Sequence, residues 1–484
     1  MGQRTLGLIL VFVLQSVAAT VKVGWREPGG RRSIQSLDLE EYTVAALNGE
    51  AGVFTSAAAL EAQAITIRTF ARVNAGRHRA EGYDFCDTTH CQRLLRGPAP
   101  ARVRAAVEAT SGLILWARGR PAEVFFHRNC GGRTEDAGAI WPGASRPWLP
   151  VQTDEACARL APREWSARIA WTDLAQALGV ARIRSLRVVS RTPSGRVATL
   201  GSDAGPIDAE RLHLAVGRAL GWNYLKSRFY DVHIEGEAAV FAGHGSGHGV
   251  GLCQDGAESR GHAGESMDQI LAFYFPGTKV AVNAQGFAWK ELRGERVVLR
   301  AESPDGNLLT ACDRALSDAE RRTGFTAQSD VRVVVYPTLD AYRDATGQPG
   351  FVAASTRGRT IRLQPVERLR ARNSVDATLL HEMLHVLVEE KGGIRLPRWF
   401  VEGLVVTLAG ENVAPAAWTP QVERVLASPR DETQLRAAYA ASAGRVRELI
   451  SRHGREAVLG WVVSGLPAGM DGAIAPAVKS PAIR

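Results

Sequence analysis

Beyond its first 20 residues the sequence has no apolar run long enough to cross a bilayer, which excludes an internal transmembrane helix. It has no long Lys/Arg block and no basic stretch interleaved with aromatics, so nucleic acid is not an expected partner. It also has no internal repeat, which argues against a solenoid. What it does have is ordinary globular composition, 45% hydrophobic and 23% charged, so disorder does not dominate. A length of 484 residues calls for two or three domains. The net charge of +9 comes mainly from scattered Arg. It reads either as a solvated basic surface or as a face for a polyanion such as a wall polymer.

The apolar run that is present stands at the beginning. MGQRTLGLILVFVLQSVAAT sets Arg4 ahead of an apolar stretch reaching Leu14, with Val17 and Ala19 at small-residue cleavage spacing. Residues 1–19 therefore read as a secretory signal, or as an anchor if it stays uncleaved. The expected location is the periplasm, the cell wall or the medium. Export permits disulfides, and among the 6 cysteines Cys130 and Cys157 form a candidate pair. Cys253 and Cys312 stand apart, and buried roles are expected for both.

Periodicity and punctuation predict a mixed α+β chain. SAAALEAQAITIRTFARVNAG is an Ala-rich helix opening at Ser56 and closing at Gly76. LILWARGRPAEVFFHR reads as a hairpin turning at RGRP, and IRSLRVVSRTPSGRVATLGSD as two strands about a PSG turn. A junction falls between residues 281 and 300, and residues 465–484 read as a disordered tail.

Near the end lies HEMLHVLVEEKGGIRLPRWFVEGL. On a helix, His381 and His385 project from one face and can hold one metal ion. Glu382 stands beside them, placed to take a proton from a water that zinc makes more acidic. Glu402, on a second helix that Pro397 can start, is the candidate third ligand. These two helices resemble those of the glutamate-liganded zinc peptidases, the peptidase MA-like domains, over residues 300–445. The resemblance implies zinc on His381, His385 and Glu402, Glu382 as general base, and a peptide substrate that the sequence does not name.

The larger region carries, in order, EEYTVAALNGEAG, ALEAQAITIRTFAR, YDFCDTTHCQ, CGGRTEDAGAIWPG, GHGVGLCQDGA and ILAFYFPGT. The series resembles the SpoIID/LytB family of cell-wall proteins, over residues 21–285. The resemblance implies a lytic transglycosylase acting on peptide-stripped glycan strands, with Glu50 of LNGEAG as the acid that protonates the leaving oxygen. It also implies a metal site in the YDFCDTTHCQ loop. Cys86, His90 and Cys91 supply ligands suited to zinc, with His78 a candidate fourth; the alternative is a strained disulfide between Cys86 and Cys91, or free thiols. His248 and Gln254 stand beside glycines that admit a sugar, and Arg68 matches the family's helix; all three are candidate substrate-binding residues, with a buried hydrogen-bonding role for His248 and a structural salt bridge for Arg68 as the equal alternatives. Ser246 replaces a common aromatic, and Cys253 the usual Ser.

The expected fold is thus a SpoIID/LytB-like α+β domain followed by a smaller zincin-like α+β domain. The expected function is peptidoglycan remodelling by a transglycosylase joined to a metallopeptidase. Two alternatives remain: a non-catalytic enhancer that binds glycan and stimulates a cell-wall amidase, or a wall-targeted metallopeptidase.

Overall fold

The structure is a computed structural model that describes residues 20–160, 163–287, 289–392 and 396–467. The expected signal and residues 468–484 of the expected tail lie outside the described residues. Helices take 43% and strands 22%, which places the chain in the α+β class, as its patterning predicts. The chain divides into two compact units, Ala19–Gly286 and the stretch from Phe287 onward. No helix among the described residues is long and apolar enough to cross a membrane.

The first unit opens with a strand at Thr20–Arg26, paired antiparallel with Arg32–Asp38 and parallel with Phe85–Cys86. Helix α1 (Leu39–Glu50) follows at once, because Asp38 accepts a hydrogen bond from the Glu41 N–H at 2.9 Å and caps its start. Glu40 and Glu41 in its first turn suit the positive end of the helix dipole. Helix α2 (Ala57–Asn74) starts at the Ser56 cap and is buried nearly all round from Ala59 to Ala71. Its small alanines let neighbouring elements approach it from every side.

A second layer has its own core. The antiparallel strands Leu186–Arg191, Val197–Ser202 and Gly205–Asp208 form one sheet. Tyr230–Glu235, Ala238–His244 and Glu164–Ala170 form another. Trp165, Leu174, Leu200, Leu212 and Phe241 are buried between these sheets and the helices Trp171–Leu178 and Ala209–Ala219. The hairpin expected at RGRP is short: Trp116 pairs with Pro121 and Ala117 with Arg120. Pro121 has no N–H to extend the ladder. Phe126–His127 instead pairs in parallel with Leu252–Cys253, which carries the glycine-rich loop into the middle of the unit.

The second unit is built on a five-stranded sheet in the spatial order Lys290–Arg293, Val297–Ala301, Val331–Val335, Thr360–Leu363, Ala354–Arg357. Its three central strands run parallel, and the helix Gly306–Thr323 makes the first crossover. Val297, Leu299, Val333 and Ile361 pack against Leu379, Met383, Phe400 and Leu404 in one core. The unit thus includes two strands that begin before residue 300 and a last helix, Arg455–Ser464, beyond residue 445.

Candidate functional site

Glu50 is the last residue of α1, half-buried, and is followed by a tight turn at Ala51–Val53. The side chain of Gln254, 2% exposed, donates from Nε2 to Glu50 Oε2 at 3.0 Å. Two motif residues 204 positions apart are thereby joined. Gln254 opens the helix Gln254–His262, which is fixed to the start of α2 by Glu258. Its carboxylate accepts from the Thr55 N–H at 2.7 Å, from the Thr55 hydroxyl at 2.6 Å and from the Ser56 N–H at 3.2 Å. One oxygen of Glu50 is therefore held, in a residue that is half-buried.

Arg68 does not belong to a substrate groove. It is fully buried, and its guanidinium forms a two-point pair with Glu40 at 2.9 and 2.6 Å. It also donates to the carbonyls of Leu113 and Val107. A buried arginine with its donors spent on protein acceptors positions α1 against α2 and has none to offer a sugar, which is the structural salt bridge of its two readings.

His248 lies with a different group from Glu50. Its ring packs 5.2 Å from Trp141, 6.3 Å from Phe125 and 5.6 Å from His127. The Val250 N–H donates to its Nδ1 at 3.0 Å, so the neutral ring carries its proton on Nε2. Nearby, a Cβ on Gly251 would stand 2.2 Å from the Phe125 carbonyl, and its φ of +72° suits glycine alone. Burial first, then Arg196, pushes His248 down to about 4. Burial, then His248, holds His127 well below the usual imidazole range. In the unfolded chain both take protons near pH 6.5, so the unfolded state binds more protons below that value. Stability should therefore fall from about pH 6.5 toward about pH 4, by up to ~1.4 kcal/mol per pH unit per histidine. Melting temperature against pH checks this, with a shallower decline for His248→Gln; identical slopes would contradict it.

Cys86, His90 and Cys91 come together with His78, and the four donor atoms lie within 4.8 Å of one another. The His90 Nδ1 is 3.8 Å from Cys86 Sγ, 3.6 Å from Cys91 Sγ and 3.2 Å from His78 Nε2. Both thiols are free, so the disulfide alternative is not the arrangement seen. The set is Cys₂His₂, which suits zinc, and Glu81 holds the outer nitrogen of His78 at 2.8 Å, as a carboxylate behind a metal-bound histidine does.

In the second unit the helix Val375–Gly392 presents His381 and His385 with their Nε2 atoms 3.2 Å apart. The helix Arg398–Ala409, opened by Pro397, brings Glu402 Oε2 to 3.3 Å from His385 Nε2 and 4.0 Å from His381 Nε2. Tetrahedral zinc with nitrogen ligands at about 2.0–2.1 Å separates them by about 3.3 Å, so the donors fit. Glu402 Oε2 is buried and accepts no hydrogen bond, which is the state of an atom built to meet a cation. The outer Nδ1 atoms face Glu411 at 2.6 Å and Glu389 at 3.2 Å. Burial alone would lower the His385 pKa, yet Glu402 and Glu389 raise it well above the ordinary range, so the pocket favours positive charge. Glu382 accepts from the Thr356 hydroxyl at 2.6 Å.

Tyr439, on the helix Glu432–His453, is a residue that sequence reasoning missed. Its ring centre is 5.9 Å from that of His381. Burial and then Glu402, Glu382 and Glu411 push its phenol well above the usual range, so it stays a hydrogen-bond donor. It reaches the site because its helix packs closely on the Glu402 helix at Gly403. A Cβ there would stand 2.4 Å from the Ser442 carbonyl. Gly403→Ala should cost about 1–3 kcal/mol by overpacking, read as a lower denaturation midpoint; an unchanged midpoint would refute the close approach.

Comparison with known proteins bears on the first unit. The family model described as "Stage II sporulation protein", SpoIID, matches residues 27–116. Stage II sporulation protein D of Bacillus subtilis is 24% identical over 269 residues, covering 52% of this chain and 76% of that protein. Its counterpart in Bacillus amyloliquefaciens is 25% identical over 275 residues, 51% of this chain and 76% of its own length. The amidase enhancer of B. subtilis is 24% identical over 270 residues, 46% of this chain and 37% of that protein. By these matches and the order of its motifs, the first unit of the chain is similar to the SpoIID family.

Proposed function

We propose that the chain is an exported peptidoglycan-remodelling protein whose first unit cleaves peptide-stripped glycan strands as a lytic transglycosylase. The observation that carries this reading is the hydrogen bond from Gln254 to Glu50, which steadies a half-buried carboxyl. With Oε2 held by Gln254, Glu50 gives a proton from Oε1 to the glycosidic oxygen as the bond to the anomeric carbon breaks. A hydroxyl of the same sugar closes on that carbon to form the anhydro ring, and its proton returns to Glu50. One carboxyl thus serves as acid and then base, and the reaction needs no second one. The net charge of +9 favours an anionic wall.

The test is the mature protein incubated with peptide-free glycan strands, with products read by mass spectrometry. Anhydro-ended fragments are expected from wild type, and intact strands from Glu50→Gln. Intact strands from both proteins would overturn the transglycosylase. A non-catalytic role like that named for the amidase enhancer would then be favoured, with a wall amidase as partner.

A second activity is supported by the His381, His385 and Glu402 geometry in the second unit. Bound there, zinc would supply Lewis-acid polarisation of a water and of a peptide carbonyl. Glu382, oriented by Thr356, takes the proton of the attacking water, and the Tyr439 phenol is the candidate donor to the developing oxyanion. Glu382→Gln should abolish cleavage of a denatured-protein substrate while leaving the zinc content unchanged. Cleavage at the wild-type rate would rule out Glu382 as the base.

A further inference from the structure

Cys130, Cys157 and Cys253 do not stand as a disulfide and a spare thiol. All three are free, all are buried, and their sulfurs gather with a carboxylate oxygen of Asp154, every donor atom within 4.8 Å of the others. We propose that these four residues form a second, buried metal site in the first unit, a Cys₃Asp site for zinc.

Four observations support the assignment. A tetrahedral centre with sulfur at about 2.3 Å and oxygen at about 2.0–2.2 Å places sulfur and oxygen about 3.5 Å apart. Cys130 Sγ and Asp154 Oδ2 are 3.5 Å apart. A disulfide would need two sulfurs at about 2.05 Å and would leave the third thiol facing a buried carboxylate. Cys253 Sγ has two N–H groups suited to a thiolate beside it, that of Cys130 at 3.2 Å and that of Gly256 at 3.4 Å, with the Arg128 carbonyl at 3.9 Å. The second of these belongs to the N-terminus of the nine-residue helix Gln254–His262, whose dipole favours negative charge. Asp154, fully buried, accepts from the Tyr274 hydroxyl at 2.6 Å and faces Arg260 at 3.5 Å, which orients it and offsets its charge. Finally, Cys157 lines a cavity of about 860 Å³ together with Asn129, Trp165 and His244, which gives an ion a way in.

Binding replaces three S–H bonds by three sulfur–zinc bonds and releases the three protons to solvent; no oxidant or reductant is involved. The site is separate from the Cys86, Cys91, His78 and His90 cluster and shares no residue with it. It stands one residue from Gln254, so an ion there also fixes the start of the helix that steadies Glu50.

Zinc per chain, measured on the mature protein purified from zinc-supplemented cells, tests the proposal. Cys91→Ser and Cys253→Ser should each lose one zinc, and the double variant should lose both. Equal zinc content in wild type and Cys253→Ser would overturn the site. If Cys253→Ser does not fold, alkylation of the wild-type protein decides. Cys130, Cys157 and Cys253 should resist the reagent until a chelator is added and then all react. A Cys130–Cys157 cross-linked peptide, or reaction unaffected by chelator, would overturn the proposal.

Discussion

Glu50→Gln is expected to slow glycan cleavage by at least about 10²–10⁴-fold, the usual contribution of a positioned general acid. The substitution keeps the size and most of the packing of a half-buried side chain, so the melting temperature should not move. What it removes is a dissociable proton, and with one carboxyl acting as acid and base, both halves of the reaction suffer. Gln254→Ala is the informative companion. It leaves the acid in place and removes its 3.0 Å partner. Glu50 becomes charged as its proton leaves, and a hydrogen bond to a charged group contributes about 1.5–3 kcal/mol, which corresponds to roughly a ten- to hundredfold loss in rate. Initial rates of anhydro-product formation separate these outcomes. Anhydro products from Glu50→Gln at the wild-type rate would remove Glu50 from the chemistry.

Arg68→Ala should be the most damaging single change to stability in the first unit. It strands Glu40 as a buried charge and deprives the Leu113 carbonyl of its side-chain donor and the Val107 carbonyl of one of two. Breaking a buried pair by removing one partner typically costs about 3–5 kcal/mol. Arg68→Lys should recover little, because an ammonium cannot make the two-point contact seen at 2.9 and 2.6 Å. Removing Glu40 as well should recover only part of the loss, since the Leu113 carbonyl and the Gly112 N–H then lose their side-chain partners. Chemical denaturation provides the readout, and a change below about 1 kcal/mol for Arg68→Ala would contradict the structural role.

Much of this was legible from local chemistry. Ser56 caps a helix where the sequence signals its start, and the four-residue spacing of His381 and His385 put both on one helical face. Glu402 followed from Pro397 opening a second helix. Other features depended on tertiary placement. Arg68 recurs at helical spacing with Glu61 and Arg72, so the sequence left a structural salt bridge and a substrate role equally open. Cys130 and Cys157 read as a disulfide pair because Cys253 is far away in sequence. The parallel pairing of Phe126–His127 with Leu252–Cys253 brings it back beside them. Tyr439 belongs to an ordinary helix without a motif, and only its packing at Gly403 makes it part of a site.

Helix α1 carries Glu40 at its root and Glu50 at its tip. Ten residues of α-helix span about 15 Å, so the proposed proton donor sits that far from the clamp made by the Arg68 pair, with Gln254 holding its own end. Over that length a tilt of about 4° at the clamp moves the tip by about 1 Å, and a misplacement of that size can cost about 100-fold in rate. The aim of the acid is therefore set at a point no substrate touches. Substitutions at the clamp that spare the fold should appear in an assay as errors of alignment, with the chemistry of Glu50 intact.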